Sequence, residues 1–230
     1  MLKKLYDKSE LWFALLFILV YCITNIMIRG KLGDESIWML LANIIITIIT
    51  VIFIKKNKLE SKYGLDRLPK NSKRFLYFIP LIILGTCNLW TGFKLDYIGL
   101  PLLYASISMI LIGWIEEIIF RGFLFKAVEK EDGIKKAIII SAVTFGIGHI
   151  LNLISQPGID TLMQVLYAIS FGFLFVYLFI KSKSLWPCII LHSFINVTSK
   201  YGNASNIYVI TAILIVTSVL YGLYLRKLKD

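Results

Sequence analysis

Apolar residues run along this chain in long blocks, and charged residues are confined mostly to the short stretches between them. Eight blocks approach the roughly 20 mostly apolar residues that a spanning helix needs: 11–28, 37–54, 75–93, 97–125, 137–151, 162–180, 185–198 and 207–225. The pattern predicts an all-α, polytopic integral membrane bundle of about eight transmembrane helices. Blocks 137–151 and 185–198 are short, and each carries a histidine. Short or polar-interrupted spans are tolerated where protein rather than lipid surrounds them, so both are expected in the interior. Lys3, Lys4 and Lys8 precede the first block as in a signal peptide. That block is long for a signal core and ends at Arg29 without a small-x-small site, so it counts as a span.

Composition agrees: 58% of the 230 residues are hydrophobic and only 17% charged, too apolar for a soluble domain. A net charge of +11 raises the question of nucleic acid, but no basic tract interleaved with exposed aromatics supports it, and no nucleic-acid partner is expected. The charge is distributed by side instead. With a cytoplasmic N-terminus, 21 of the 25 basic residues fall in inside segments, leaving Arg29, Lys31, Lys94 and Lys200 outside. That bias follows the positive-inside rule and puts both termini and the long basic loop 55–74 on the cytoplasmic side. Gly64 and Pro69 make that loop a poor helix, and 126–136 reads as either a short surface helix or a loop. Cys22, Cys87 and Cys188 stand singly in apolar blocks and read as packing residues. No repeat or composition shift divides the chain, so 1–230 is expected to form a single membrane domain.

Three charges interrupt block 97–125. Glu116, Glu117 and Arg121 stand among apolar neighbours, where a central charge costs about 2.5–3.5 kcal/mol on lenient scales. Residues four apart share a helix face, so Glu117 and Arg121 can pair along one helix. Glu116 is turned about 100° from Glu117 and is left for chemistry. Phe145 and His149 form a second i, i+4 couple, and His192 and Asn196 a third. Depth can be counted from the flanking lysines at 1.5 Å per residue. Glu116 lies roughly 15 Å inside Lys126, His149 roughly 20 Å inside Lys136, and His192 and Asn196 roughly 14 and 20 Å inside Lys183. All four fall in one band near mid-membrane.

A carboxylate out of water is a better general base near neutral pH, and a histidine can share the water it activates. A second histidine and an amide N–H₂ can donate to an oxyanion. Glu116, His149, His192 and Asn196 therefore suit addition of water to an amide bond. Ser193 points away from the face of His192, while Cys188 and His192, four apart, form a possible dyad. Each feature also has a plainer reading. Glu117–Arg121 can be a structural ion pair, His149 a core histidine, Asn196 an interhelical hydrogen bond, and Phe145 packing or a pocket wall. Trp114 and Trp186 read as interfacial or packing residues. Gly113, Gly122, Gly146, Gly148 and Gly172 read as points of close helix approach, with Gly146 and Gly148 alternatively making room for a peptide.

Glu116-Glu117-x-x-x-Arg121, Phe145-x-x-x-His149 and His192-x-x-x-Asn196 together resemble the three motifs of the CPBP intramembrane protease family. That family takes in CAAX prenyl endopeptidase type 2 and bacterial bacteriocin-processing or immunity (Abi) proteins. The resemblance covers about 97–198, and no motif position departs from the pattern. It implies an intramembrane endopeptidase in which Glu116 and His149 activate water and His192 and Asn196 stabilise the oxyanion. Arg121, held by Glu117, would support the site. It implies a membrane-associated protein or peptide as substrate, within the lipid bilayer. The favoured cofactor reading is none, with a glutamate-activated water. The alternative is Zn²⁺ held by Glu116, His149 and His192, a His₂Glu set of the catalytic type.

Two other functions fit the same pattern: a non-proteolytic immunity or scaffold protein of the same fold, and a small transporter with a Glu/His proton relay. The Ile- and Lys-rich composition suits an AT-rich bacterial genome, and hence a bacterial plasma membrane. The basic-loop orientation and the depth count together lead one to expect a cavity open to the cytoplasmic side.

Overall fold

The computed structural model describes residues 2–69, 78–154, 158–203 and 207–228. Among them the chain is helical, without a strand. A short α1 (Leu2–Lys8) leads into α2 (Glu10–Leu32) and α3 (Ile37–Lys56). Then come α4 (Ile79–Gly85), a 3₁₀ turn at Cys87–Leu89, and α5 (Leu100–Glu117). A π-helical segment, Ile118–Leu124, joins α5 to α6 (Phe125–Asp132). The remaining helices are α7 (Ile134–Gly148, prolonged as 3₁₀ through His149–Ile154), α8 (Gly158–Ser182), α9 (Trp186–Thr198) and α10 (Ile207–Lys227).

The boundaries have local causes. The Ser9 and Ser36 hydroxyls accept from the backbone N–H of Trp12 and Met39, capping α2 and α3. Pro101 and Pro187 sit in the first turns of α5 and α9, where no helical N–H is lost. Gly133, at φ 86°, separates α6 from α7, a left-handed conformation that costs glycine nothing.

Among the described residues six helical stretches are long and apolar enough to cross a membrane: Glu10–Leu32, Ile37–Lys56, Leu100–Asp132, Ile134–Ile154, Gly158–Ser182 and Tyr208–Lys227. All but two of the eight expected blocks thus appear at full length. Block 185–198 forms α9, an apolar helix of 13 residues. Block 75–93 begins outside the described residues and continues as α4 and the 3₁₀ turn. The ambiguous stretch 126–136 is helical on either side of Gly133; its first part continues the charged block before it and buries Ala127 and Val128.

The expectation that 137–151 is an interior helix needs correction. Its helix begins earlier and runs on through the 3₁₀ turn, so it is long enough to face lipid. Ile139, Ile140 and Ile147 are exposed. The most enclosed stretches are instead Leu100–Asp132 and Gly158–Ser182.

Different contacts knit the two ends of the bundle. At one end Glu10 pairs with Lys62 and Lys130, and the 57–69 loop docks on α9 through Leu185 N–H to Gly64 O (3.1 Å) and Ser184 Oγ to Arg67 O (2.8 Å). Above this end lies an aromatic cluster of Tyr6, Phe13, Phe17, Phe53, Tyr63 and Phe123, with Phe13 stacked on Phe53 at 4.5 Å. At the other end Asp34 pairs with Arg29 (2.6 Å) and Lys200 (3.1 Å). There the 92–96 segment bonds to 200–203 through backbone N–H groups of Lys94, Asp96 and Asn203.

Candidate active site

Glu116 and Glu117 close α5 immediately before the π segment. A π turn breaks the i→i+4 ladder and leaves backbone groups to be satisfied elsewhere. The Phe120 carbonyl there accepts from the Phe125 N–H and also from the Ser141 hydroxyl on α7, at 2.8 Å. Close packing sets the neighbouring helices. A Cβ on Gly113 would come within 2.7 Å of the Ser193 backbone on α9, and one on Gly172 within 2.7 Å of the Ala142 carbonyl on α7. Gly146 is equally tight against Ile169, whereas Gly122 makes only ordinary contact and Gly148 faces open space on the cavity wall.

Glu117 and Arg121 pair at 3.0 Å, both fully buried. The same Glu117 oxygen accepts from His192 Nδ1 at 2.7 Å, so the ion pair also orients a motif histidine. The Arg121 guanidinium lies 4.1 Å from the Phe145 ring centre and 5.2 Å from that of Phe175. Those ring faces attract the cation, although Arg121 Nε and Glu117 Oε2 find no hydrogen-bond partner. Phe145 is therefore a partner of the cation as well as a wall.

Glu116 is not left free. Its Oε2 lies 3.3 Å from His192 Nε2, and its Oε1 accepts from the Tyr21 hydroxyl at 2.6 Å. The helical-face argument considers one helix at a time and could not see a donor arriving from α2. His149 caps α7, with Nδ1 3.1 Å from the Phe145 carbonyl. A carbonyl only accepts, so Nδ1 carries the proton and Nε2 presents a lone pair. The same logic puts a proton on His192 Nδ1, facing the Glu117 carboxylate.

Glu116, His149 and Asn196 line one cavity of about 450 Å³, together with Tyr21, Phe145 and Arg29. His192 stands behind it, on a smaller space of about 50 Å³ that His149, Asn196 and Phe145 share. All seven residues singled out in the sequence thus border these spaces or, like Glu117 and Arg121, sit directly behind them. The Cys188–His192 dyad does not form: the Cys188 thiol donates to the Phe175 carbonyl at 3.3 Å. Ser193 is also engaged elsewhere, donating to the Ile110 carbonyl. Trp114 and Trp186 pack on each other, 5.8 Å between ring centres.

Among the described residues no group of three or more His, Cys, Asp or Glu side chains is disposed to hold a metal ion.

The sequence reading missed the contribution of α2. Tyr21, Asn25 and Arg29 recur every four residues along an otherwise apolar helix, and all three line the cavity. Asn25 donates back to the Tyr21 carbonyl (2.9 Å), and Arg29 reaches Asn152 (3.1 Å), which in turn donates to Gln164 (2.8 Å). The i, i+4 test that picked out the three motifs would have found this stripe in the first block. At the rim, burial raises the Asp34 carboxyl, but Arg29 and Lys200 outweigh it and hold the group below the usual carboxylate range.

A bundle of membrane-length helices enclosing acid, imidazole and amide side chains beside an internal cavity defines a multi-pass integral membrane protein. Residues 98–198, which carry all three motifs, match the Rce1-like family, described as type II CAAX prenyl endopeptidase Rce1-like. That match agrees with the CPBP/CAAX protease family that the motifs resemble. Among curated proteins, none matches the chain.

Proposed function

We propose that this protein is an intramembrane endopeptidase that hydrolyses a peptide bond of a membrane-associated substrate, using a water activated by Glu116 and His149. The observation that carries the reading is the meeting of Glu116, His149 and Asn196 on one cavity, with His192 3.3 Å from Glu116. The chain would form a single membrane domain in a bacterial plasma membrane. Eight apolar elements would cross the bilayer, with both termini on the lysine-rich side.

The donor and acceptor pattern suggests the division of labour. With Nδ1 protonated, His149 turns an accepting nitrogen to the cavity, as a base does. His192 Nε2 faces a carboxylate oxygen, and that contact is attractive only when a proton lies between them. His192 is therefore the donor of the pair. Water held by Glu116 and His149 adds to the carbonyl carbon and gives up its proton to them. The carbonyl oxygen, now an oxyanion, accepts from His192 Nε2–H and the Asn196 amide. Collapse breaks the C–N bond as the stored proton passes to the leaving amine. Tyr21 holds the unused Glu116 oxygen, and Glu117 fixes the tilt of the His192 ring. No metal is assigned a part.

The test is proteolysis of membrane-tethered peptides by the purified chain in liposomes, with a chelator arm. The expected result is chelator-resistant cleavage that Glu116→Ala abolishes. Full activity in Glu116→Ala would sink the reading. Absence of cleavage by the wild-type chain would leave the non-proteolytic alternative, whose phenotype survives Glu116→Ala and His149→Ala.

A further inference from the structure

The cavity reaches the end of the bundle away from the basic loops. Its polar rim is made by Arg29, Asp34, Asn88, Asp160, Ser199 and Lys200. These residues stand at the end of α2, the turn after it, the 3₁₀ turn at Cys87–Leu89, the start of α8 and the end of α9. All belong to one end of the bundle, joined by Asp34's ion pairs and the 92–96 to 200–203 backbone bonds. Among the described residues that end holds four basic residues, Arg29, Lys31, Lys94 and Lys200.

From the opposite, lysine-rich end the way in is blocked. The buried Glu117–Arg121 pair and the aromatic cluster around Phe123 fill the space between Glu116 and the Glu10–Lys62–Lys130 pairs. The helix ends agree with this. His149 is the cap of α7, and Asn196 stands two residues before the end of α9. Both therefore lie close to the end that carries the rim. The depth count from the flanking lysines had pointed to access from the lysine-rich side.

Lysine and arginine concentrate on the cytoplasmic side of membrane proteins. Combining that rule with the position of the rim, we infer that the chamber takes its peptide from the extracytoplasmic side. The substrate class is then a segment already exported, or one emerging at the outer leaflet, and not a cytosolic tail. This inference rests on the proteolytic reading for its substrate, but not for its direction of access.

The two parts are tested separately on the full chain expressed in the plasma membrane of a bacterial host. Ser199→Cys puts a thiol on the exposed rim, and Lys135→Cys puts one on the exposed surface of the lysine-rich end. Intact spheroplasts are treated with a charged, membrane-impermeant maleimide, with the wild-type thiols as background. The expected result is labelling of Ser199→Cys before lysis and of Lys135→Cys only after it. The reverse pattern, or equal labelling of both, overturns extracytoplasmic access and leaves proteolysis standing. In the second measurement, peptides that accumulate in a Glu116→Ala strain are compared with wild type by mass spectrometry. They should be removable from intact cells by an added protease. Protection of those peptides inside the cell overturns the substrate class. No difference between the strains, with labelling as expected, counts against the proteolytic reading and its substrate while the direction of access stands.

Discussion

Glu117 and Asp34 are each gripped by two basic groups, one at the heart of the bundle and the other at its rim. Glu117 accepts from Arg121 and His192, with the pair to Arg121 wholly out of solvent. Asp34 takes Arg29 and Lys200, with 18% of its side chain still exposed. The geometry is alike and the surroundings are not. Coulomb energy grows as the effective dielectric falls, and so does the cost of stranding one partner. The inner triad therefore fixes an imidazole in one orientation, while the outer one ties the α2–α3 turn to the end of α9 where water and ions can compete.

Removing one partner from each triad should separate them most widely. Glu117→Ala leaves Arg121 buried and unpaired, and should cost about 3–5 kcal/mol in unfolding experiments in detergent. It should also abolish cleavage, since His192 loses its support. Asp34→Ala should cost no more than about 1 kcal/mol. Equal losses would mean that the rim is as dry as the core.

The next effects separate chemistry from stability. Glu116→Gln should lower the cleavage rate by about 10²–10⁴-fold, with the melting temperature little changed. Asn196→Ala should lower it by about 10²–10³-fold, through kcat more than KM, as loss of an oxyanion donor does. Tyr21→Phe should fall short of both. It removes one hydrogen bond from Glu116 and should shift the pH–rate profile rather than abolish activity.

Acid provides the gentlest probe. Asp34 lies below its ordinary range in the folded protein. Its stabilisation is thus present above the unfolded carboxylate value of about 3.9 and is lost as pH falls through the lower folded value. Melting temperature followed downward from pH 5 should show this component in wild type and lack it in Asp34→Asn. High salt should weaken the same contact and spare the inner pair.

Much of this architecture was legible because lipid enforces it. A helix in a bilayer must present apolar residues for its whole length, so six stretches stand out by composition, and the charges that interrupt them stand out equally. The couple Glu117–Arg121 was readable because both residues share one helix. What lay hidden depends on which helices are neighbours. Tyr21 reaches Glu116 across 95 positions of chain, and no periodicity within α5 announces it. The direction of the cavity was hidden for a related reason. Counting residues from a flank gives a depth, but which side is open depends on how the aromatic rings of α1, α2, α3 and the π segment close the other.

Substitution and length have different meanings along Leu100–Asp132. The π segment Ile118–Leu124 lies between two fixed points: the acids at its start, and Lys130, which holds Glu10 at 2.9 Å beyond its end. It therefore phases the chamber against the anchor. One residue fewer would close its i→i+5 turns to i→i+4, so that the residues facing the chamber, Arg121 against Glu117 among them, would have to be repacked. This stretch should accept exchanges of one apolar residue for another, yet reject any insertion or deletion.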